Sequence, residues 1–427
     1  MSHDQSPARQ AIRAVEAAWR IEWPQLVAGL TRLVGDIDTA EDLAQDAHVA
    51  ALRQWPRDGV PSNPGGWLML TAQRRAIDQI RRDATLARKL PMLGNDLLTD
   101  RRSMPPIPGE NLDIADDLLR MVFTSCHPVL SRPAQVTLTL RMVGGLTTEE
   151  IARAYVVPRS TVAQRIVRAK RTISDQRIPF QVPDGSELAG RLDSVLETIY
   201  LIFNEGYAAT SGQDWVRAEL CEAGLRLARI LTGLLPAEPE VHGLVALLEL
   251  QASRVRARSD PARRPVLLPD QDRSRWDQLL IHRGYAALGR AHALALQRRL
   301  PAGRYALQAA IAAVHTMTAT PRDTDWRRIT GLYAQLAERF PSPVVELNRA
   351  VALAMVHGPA AGLELVDAVA ACGMIEGYHL LHAVRADLLA RLGRRTEANA
   401  EFIRAAELTA NTAERSFLHI RAADCLK

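Results

Sequence analysis

Lysine is nearly missing from this 427-residue chain: Lys89, Lys170 and Lys427 are the only lysines, and the other basic residues are arginines. With abundant alanine, that skew follows GC-rich coding rather than any function. The net charge of +5 and pI near 9.2 permit a nucleic-acid partner without demanding one. Cysteine is scarce too. Cys126, Cys221, Cys372 and Cys425 are too scattered for a disulfide framework or a paired zinc motif. Aromatics make up 5% against 47% hydrophobic residues, so the cores are built from Leu, Ala and Val, which suits helices. No uncharged apolar run is long enough to span a bilayer, and the first residues lack a signal-peptide core, so a cytoplasmic protein with no membrane association is expected. There is no phosphate-cradling glycine loop and no convincing strand pair. The expected fold class is all α.

At this length two or three domains are expected, and proline marks where they divide. Residues 10–85 read as a first helical block. Residues 86–109, with Pro91, Gly94, Pro105, Pro106, Pro108 and Gly109, read as a linker. A second block spans 110–177, and Pro179, Pro183, Asp184 and Gly185 form the next break. From 186 to 427 the pattern is helical, with short proline interruptions.

The second block ends in a helix-turn-helix pattern. Thr147 and Glu150 have capping-box spacing, and Ile151, Ala154 and Tyr155 form one apolar face. Val157-Pro158 breaks the helix, and Ser160 or Thr161 can cap the next. In that second helix Val162, Ile166, Ala169 and Ile173 face inward. Arg159, Thr161, Gln164, Arg165, Arg168 and Arg171 stay outside, with no acidic residue between Glu150 and Asp175 to neutralise them. Arg and Gln on such a helix read base edges in a major groove while neighbouring Arg or Lys hold phosphates. The plainer reading is a solvated basic face on a helical hairpin.

The first block has two features that a simple repressor does not need. In Asp38–Leu52, Asp38 and Glu41 have capping spacing, while Leu43, Ala47, Ala50 and Ala51 make a core stripe. Asp42, Gln45 and Asp46 are left as an acidic patch suited to a basic protein surface. Helix-dipole preference explains Glu41 and Asp42 equally well, but not Asp46. The second feature is a Pro-bounded loop from Trp55 to Trp67. Asn63 caps and Pro64 opens the helix that follows, which carries Arg74, Arg75, Arg81 and Arg82. A stiff loop beside a basic helix suits capture of an extruded base and its strand. The plainer reading, favoured for each Trp taken alone, is that both are core residues and the arginines a solvated face.

Taken together, Asp38-x-x-Glu41-Asp42-Leu43-x-Gln45-Asp46, Pro64-x-x-Trp67-Leu68 and Ala76-x-Asp78-x-x-Arg81-Arg82 resemble the second conserved region of extracytoplasmic-function (ECF) sigma factors. Gly145 to Lys170 resembles their fourth region. The resemblance implies that Asp38, Glu41, Asp42, Gln45 and Asp46 meet the β′ clamp helices of RNA polymerase, with the β flap as a further contact. It implies that Arg57 to Ser62, with Asn63 and Trp67, select the minus-ten element and that Arg74, Arg75, Arg81 and Arg82 support the melted strand. Arg159, Ser160, Thr161, Gln164, Arg165, Arg168, Lys170 and Arg171 would then read the minus-thirty-five element. Promoter DNA and core polymerase are the implied partners, with no cofactor.

Arg191–Tyr207 and Phe123-Thr124-Ser125-Cys126-His127-Pro128 resemble one subgroup of that family, whose large C-terminal extension is tetratricopeptide-like. Val345–Leu353 and His379–Leu408, with a turn at Gly393, support a helical-hairpin solenoid. Such a domain offers a site for a regulatory protein, and its short tether favours action in cis on residues 10–177. No catalysis is expected. His379 and His382 sit one turn apart without a metalloprotease Glu, and Cys126-His127 are adjacent, which does not set them up for catalysis. Asn204-Glu205 fits a turn-capping role, a ligand pocket or a solvent-facing position. Two other readings compete: a helix-turn-helix regulator with a helical sensor domain, and a repeat scaffold. The regulator needs neither the acidic helix nor the strand-capturing loop, and loss of promoter binding would favour the scaffold, whose N-terminal blocks are then vestigial.

Overall fold

The computed structural model describes residues 7–89 and 114–427. Of the expected linker, residues 90–109 lie outside the described residues, while 86–89 close the third helix. The chain divides into two compact units. The first holds residues up to Arg153 and Val157–Thr198. The second holds Ile199–Lys427 with Ala154–Val156.

Among the described residues the N-terminal unit is built of helices: α1 (Pro7–Val34), α2 (Ile37–Asp58), α3 (Pro64–Lys89), α4 (Ile114–Ser125), α5 (Arg132–Met142), α6 (Thr148–Tyr155), α7 (Arg159–Asp175) and the first half of α8 (Gly185–Tyr207). Helix α1 is the central post, packing against α2, α3 and α4. Trp23, Leu26, Val27 and Leu30 recur at helical spacing and are buried. Ala40, Ala44, Ala47 and Ala51 give α2 a fully buried stripe of small side chains that lets it lie close to α1. Gly59 ends α2 at φ 88°, a left-handed turn in which its N–H donates to the Trp55 carbonyl. Asn63 caps α3 as expected, its side-chain oxygen accepting from the Gly66 N–H at 2.9 Å.

The C-terminal unit continues with α9 (Ala218–Leu234), α10 (Pro239–Ala252), α11 (Gln278–Gln297), α12 (Arg304–Thr316), α13 (Trp326–Arg339), α14 (Pro343–His357), α15 (Pro359–Ala371), α16 (His379–Arg391), α17 (Arg395–Leu408) and α18 (Thr412–Asp424). From α12 onward each helix packs on the next, the neighbour-to-neighbour arrangement of helical hairpins. One core gathers around Leu307, Ile311, Ile329 and Leu336. Another gathers around Leu347, Leu363, Leu389 and Phe402. Gly393 makes the expected turn between α16 and α17 at φ 77°. One expectation fails in detail. Ser211–Gly212 (β1) pairs in parallel with Ala410–Asn411 (β2), a two-residue bridge too short to leave a periodic signal in the sequence. Asn411, fully buried, holds that bridge through its side-chain amide, which donates to the Ala209 and Asp214 carbonyls, and its side-chain oxygen caps α18.

Candidate functional site

The helix-turn-helix forms by the local chemistry read from its sequence. The Thr147 N–H donates to Glu150 Oε2 at 2.8 Å and the Glu150 N–H donates to Thr147 Oγ1 at 3.1 Å, a reciprocal capping box. Val156 takes a positive φ of 52° in the turn. The next helix starts earlier than expected. Pro158 occupies the cap position with no side-chain bond, so Ser160 and Thr161 lie inside the first turn of α7 and cap nothing. Val162, Ile166, Ala169 and Ile173 are buried, and Arg159, Ser160, Gln164, Arg168 and Arg171 are exposed, with Thr161 and Arg165 half-buried. The outer face is less free of acid than the sequence implies. Arg159 pairs with Glu149 at 2.7 Å and Arg171 with Asp175 at 3.4 Å, both exposed and therefore weak pairs. Sequence reasoning also missed Val167, which is 63% exposed on this polar face. An apolar side chain there suits a thymine methyl.

Lys170 is the main correction. The sequence puts it among the DNA-facing residues, but it is 8% exposed and its ammonium donates to Asp38 Oδ1 at 2.7 Å and to Glu41 Oε2. Glu41, expected on the polymerase face, is also buried, and its Oε1 accepts from Arg141 Nε at 3.1 Å and Nη2 at 2.9 Å. Position 170 follows Ile166 by four and precedes Ile173 by three, so it shares their inward face. Asp36, not Asp38, caps α2, accepting from the Thr39 N–H at 2.8 Å, which leaves the Asp38 carboxylate available to Lys170. Burial alone would lower the Lys170 pKa. The Glu41 and Asp38 carboxylates outweigh that and hold it above the ordinary lysine value. Arg141 also stacks over the Trp23 ring at 4.7 Å, and its carbonyl accepts from Trp23 Nε1 at 3.1 Å. A second buried carboxylate, Asp117 on α4, bonds Arg32 of α1 at 2.9 Å and Arg120 at 2.8 Å. Burial raises its pKa against the pull of those arginines. Residues of the first and second helical blocks are thus joined by buried, compensated ions.

The remaining acidic row of α2 is open: Asp42, Gln45 and Asp46 are exposed, with Asp46 pairing Arg75 of α3 at 3.0 Å. Arg57, Ser62 and Asn63 are exposed around the loop. Trp55 is a core residue at 2% exposure, whereas Trp67 is half-buried and meets Trp55 edge-on at 5.6 Å. Arg74, Arg81 and Arg82 are exposed along α3, and Arg82 Nε donates to the Asp78 carbonyl.

The Phe123–Pro128 segment receives the first half of α8. Arg191 donates to the Phe123 carbonyl at 2.9 Å, and Ser194 and Gln135 both donate to the Cys126 carbonyl, at 2.9 and 3.2 Å. These bonds satisfy orphan carbonyls at the end of α4. Burial pushes the Cys126 thiol up to about 11, which suits packing rather than nucleophilic chemistry. His379 and His382 do not converge on one ligand: the first meets Glu414 at 3.1 Å and the second Glu401 at 2.7 Å. Glu205 pairs with Arg217 at 2.8 Å and accepts from the Thr210 N–H, so its role is to hold a turn.

Family models for Sigma-70 region 2 and Sigma-70 region 4 match residues 22–85 and 120–173. A family of unknown function, DUF6596, matches residues 191–292. The chain is similar to an uncharacterized protein of Rhizobium meliloti, 41% identical and covering 93% of this chain and 92% of that one. It is similar also to a protein of Mycobacterium tuberculosis described as the probable ECF RNA polymerase sigma factor SigI, 28% identical over 43% of this chain and 67% of that protein. No solved structure matches. With both sigma regions matched in order on the unit that carries the basic α7 and the acidic α2, and a helical domain following, the chain belongs to the ECF-type RNA polymerase sigma factors with a large C-terminal extension.

Proposed function

We propose that the protein binds core RNA polymerase through the exposed row Asp42, Gln45 and Asp46 of α2, with the β′ clamp helices as its counterpart, and directs promoter opening. Glu41 stays in the fold rather than at that interface. The loop from Arg57 to Asn63, with the half-buried Trp67 ring, selects the minus-ten element, and Arg74, Arg75, Arg81 and Arg82 follow the separated strand. On α7, Gln164 and Arg165 read bases of the minus-thirty-five element, while Arg168 and Arg171 hold phosphates in place of the buried Lys170. The observation that carries this reading is one unit presenting two exposed faces of opposite sign, acidic on α2 and basic on α7. Such a protein initiates transcription and is not an enzyme.

Run-off transcription with purified core polymerase and a matched promoter tests it. The full chain is expected to give a defined transcript that core alone does not. A chain that binds promoter DNA without core, and adds no transcript with it, is instead a helix-turn-helix regulator with a helical sensor domain.

A further inference from the structure

One stretch of the C-terminal unit encloses positive charge with no acidic side chain paired to it. After α10 the chain leaves helical repeat packing, and residues 253–277 run through short turns before α11 begins. This stretch carries Arg254, Arg258 and Arg273. Arg254 is 6% exposed, and its Nε has no hydrogen-bond partner. Arg258 lies over the Tyr207 ring at 3.8 Å and 5.3 Å from the Trp215 ring centroid, again with an unpartnered Nε. Arg273 donates to the His315 and Thr318 carbonyls and to the Thr318 and Thr324 hydroxyls, all of them neutral acceptors. Among the described residues, no aspartate or glutamate makes a salt bridge with any of the three. Asp323 acts on Arg273 only from farther away.

The neighbours register this field. His315 is driven down to about 3 by burial and by the charges of Arg254 and Arg273, so its ring stays neutral and adds no charge of its own. Burial would raise the Tyr207 hydroxyl, but Arg254 and Arg258 outweigh it and hold the group below the usual tyrosine value. The Trp276 ring, 4% exposed, lies 5.9 Å from Arg254 and 4.9 Å from Arg273, and its indole N–H has no partner. A buried charge without a counter-charge is costly, and guanidiniums present a planar fork of donors matched to oxyanions.

We propose that Arg254, Arg258 and Arg273 form an anion-binding site in the C-terminal unit, which takes the phosphate or carboxylate group of a small-molecule ligand between the rings of Tyr207, Trp215 and Trp276. The oxyanion supplies the missing counter-charge and the acceptor for the Trp276 N–H. The extension is then a ligand-sensing module, whichever way the sigma-factor half works.

Thermal unfolding of the full chain without polymerase or DNA tests this, with inorganic phosphate and citrate as probes against sodium chloride at matched ionic strength. Phosphate, citrate or both are expected to raise the unfolding temperature by roughly 3–6 °C at about ten times the dissociation constant. A rise with phosphate alone assigns a phosphoryl ligand, and a rise with citrate alone assigns a carboxylate. Arg254→Met and Arg273→Met abolish the rise, whereas Arg391→Ala, at an exposed arginine of α16, keeps it. Where an arginine variant does not fold, Trp276→Phe keeps the ring and loses the N–H, and isothermal titration should show weakened binding. Equal unfolding temperatures in all three salts overturn the proposal, as does a rise that survives both arginine variants, or undiminished affinity in Trp276→Phe.

Discussion

Two groups of buried and half-buried cations behave differently in this molecule. In the N-terminal unit Lys170 and Arg141 are sunk beside α2, and Glu41 and Asp38 meet them with short, charge-assisted bonds. In the C-terminal unit Arg254, Arg258 and Arg273 are sunk among aromatic rings and neutral carbonyls, with donors left over. The first group is complete within the chain and acts as a fastener between two helical blocks. The second is incomplete and calls for something outside the chain. Burial of charge is the same in both cases. What differs is whether the sequence supplies the counter-charge, and that separates a structural device from a receptive one.

That contrast is most easily broken at Glu41. Glu41→Ala leaves Lys170 and Arg141 short of a buried carboxylate and is expected to destabilise the N-terminal unit by about 3–5 kcal/mol in urea unfolding. The double variant Glu41→Gln with Lys170→Met removes charge from both sides and recovers part of that loss. If Glu41→Ala unfolds like the parent, the fastener is not one.

Effects of intermediate size belong to the exposed face of α7. Gln164→Ala or Arg165→Ala is expected to relax base preference by about 1–3 kcal/mol at one upstream promoter position each. Arg171→Ala should weaken binding to all sequences alike and flatten its salt dependence. Binding to a promoter library across a salt series separates these outcomes. Identical base preferences in the parent, Gln164→Ala and Arg165→Ala would misplace the reading face.

Arg254→Met gives a smaller change, and it is the direct counterpart of the Glu41 test. Removing an uncompensated cation while keeping apolar bulk is expected to shift stability by less than about 1 kcal/mol in phosphate-free buffer, because the lost ring contact and the relieved charge offset each other. A loss as large as that of Glu41→Ala would mean that the arginine has a buried counter-charge after all. The smallest effect on folding is expected from Asp42→Arg with Asp46→Arg, under about 0.5 kcal/mol for exposed sites. A pull-down should nevertheless show loss of core polymerase. Undiminished capture by the folded double variant removes the acidic row from the interface.

Much of the architecture was legible because it is set locally. The capping box at Thr147 and Glu150, the cap at Asn63, the turn at Gly393 and the inward stripe Val162, Ile166, Ala169 and Ile173 are all interactions within a turn or two of helix. The misreadings share one cause. Asp38 and Glu41 have capping spacing, yet Asp36 caps and the other two turn to partners 100 to 132 residues away. Composition also placed a break near Pro183, and a cut after Gln181 follows from it. Yet α8 as far as Thr198 belongs with the N-terminal unit, and such a cut removes the Arg191 donor to the Phe123 carbonyl and the Ser194 donor to the Cys126 carbonyl, leaving only Gln135 on the latter.

By itself the sequence determined an all-helical chain, the place of its helix-turn-helix, the two sigma regions in their order and the helical extension after them, since periodicity, caps and motif spacing are local quantities. Only the tertiary structure decided that Lys170 and Glu41 face each other instead of DNA and polymerase, that Asn411 closes on Ala209, and that a buried Arg254 and half-buried Arg258 and Arg273 gather without an acid. Each of these depends on which residues distant in sequence share a low-dielectric interior. There an ionic group must find a partner or go without, and no spacing along the chain records which it is.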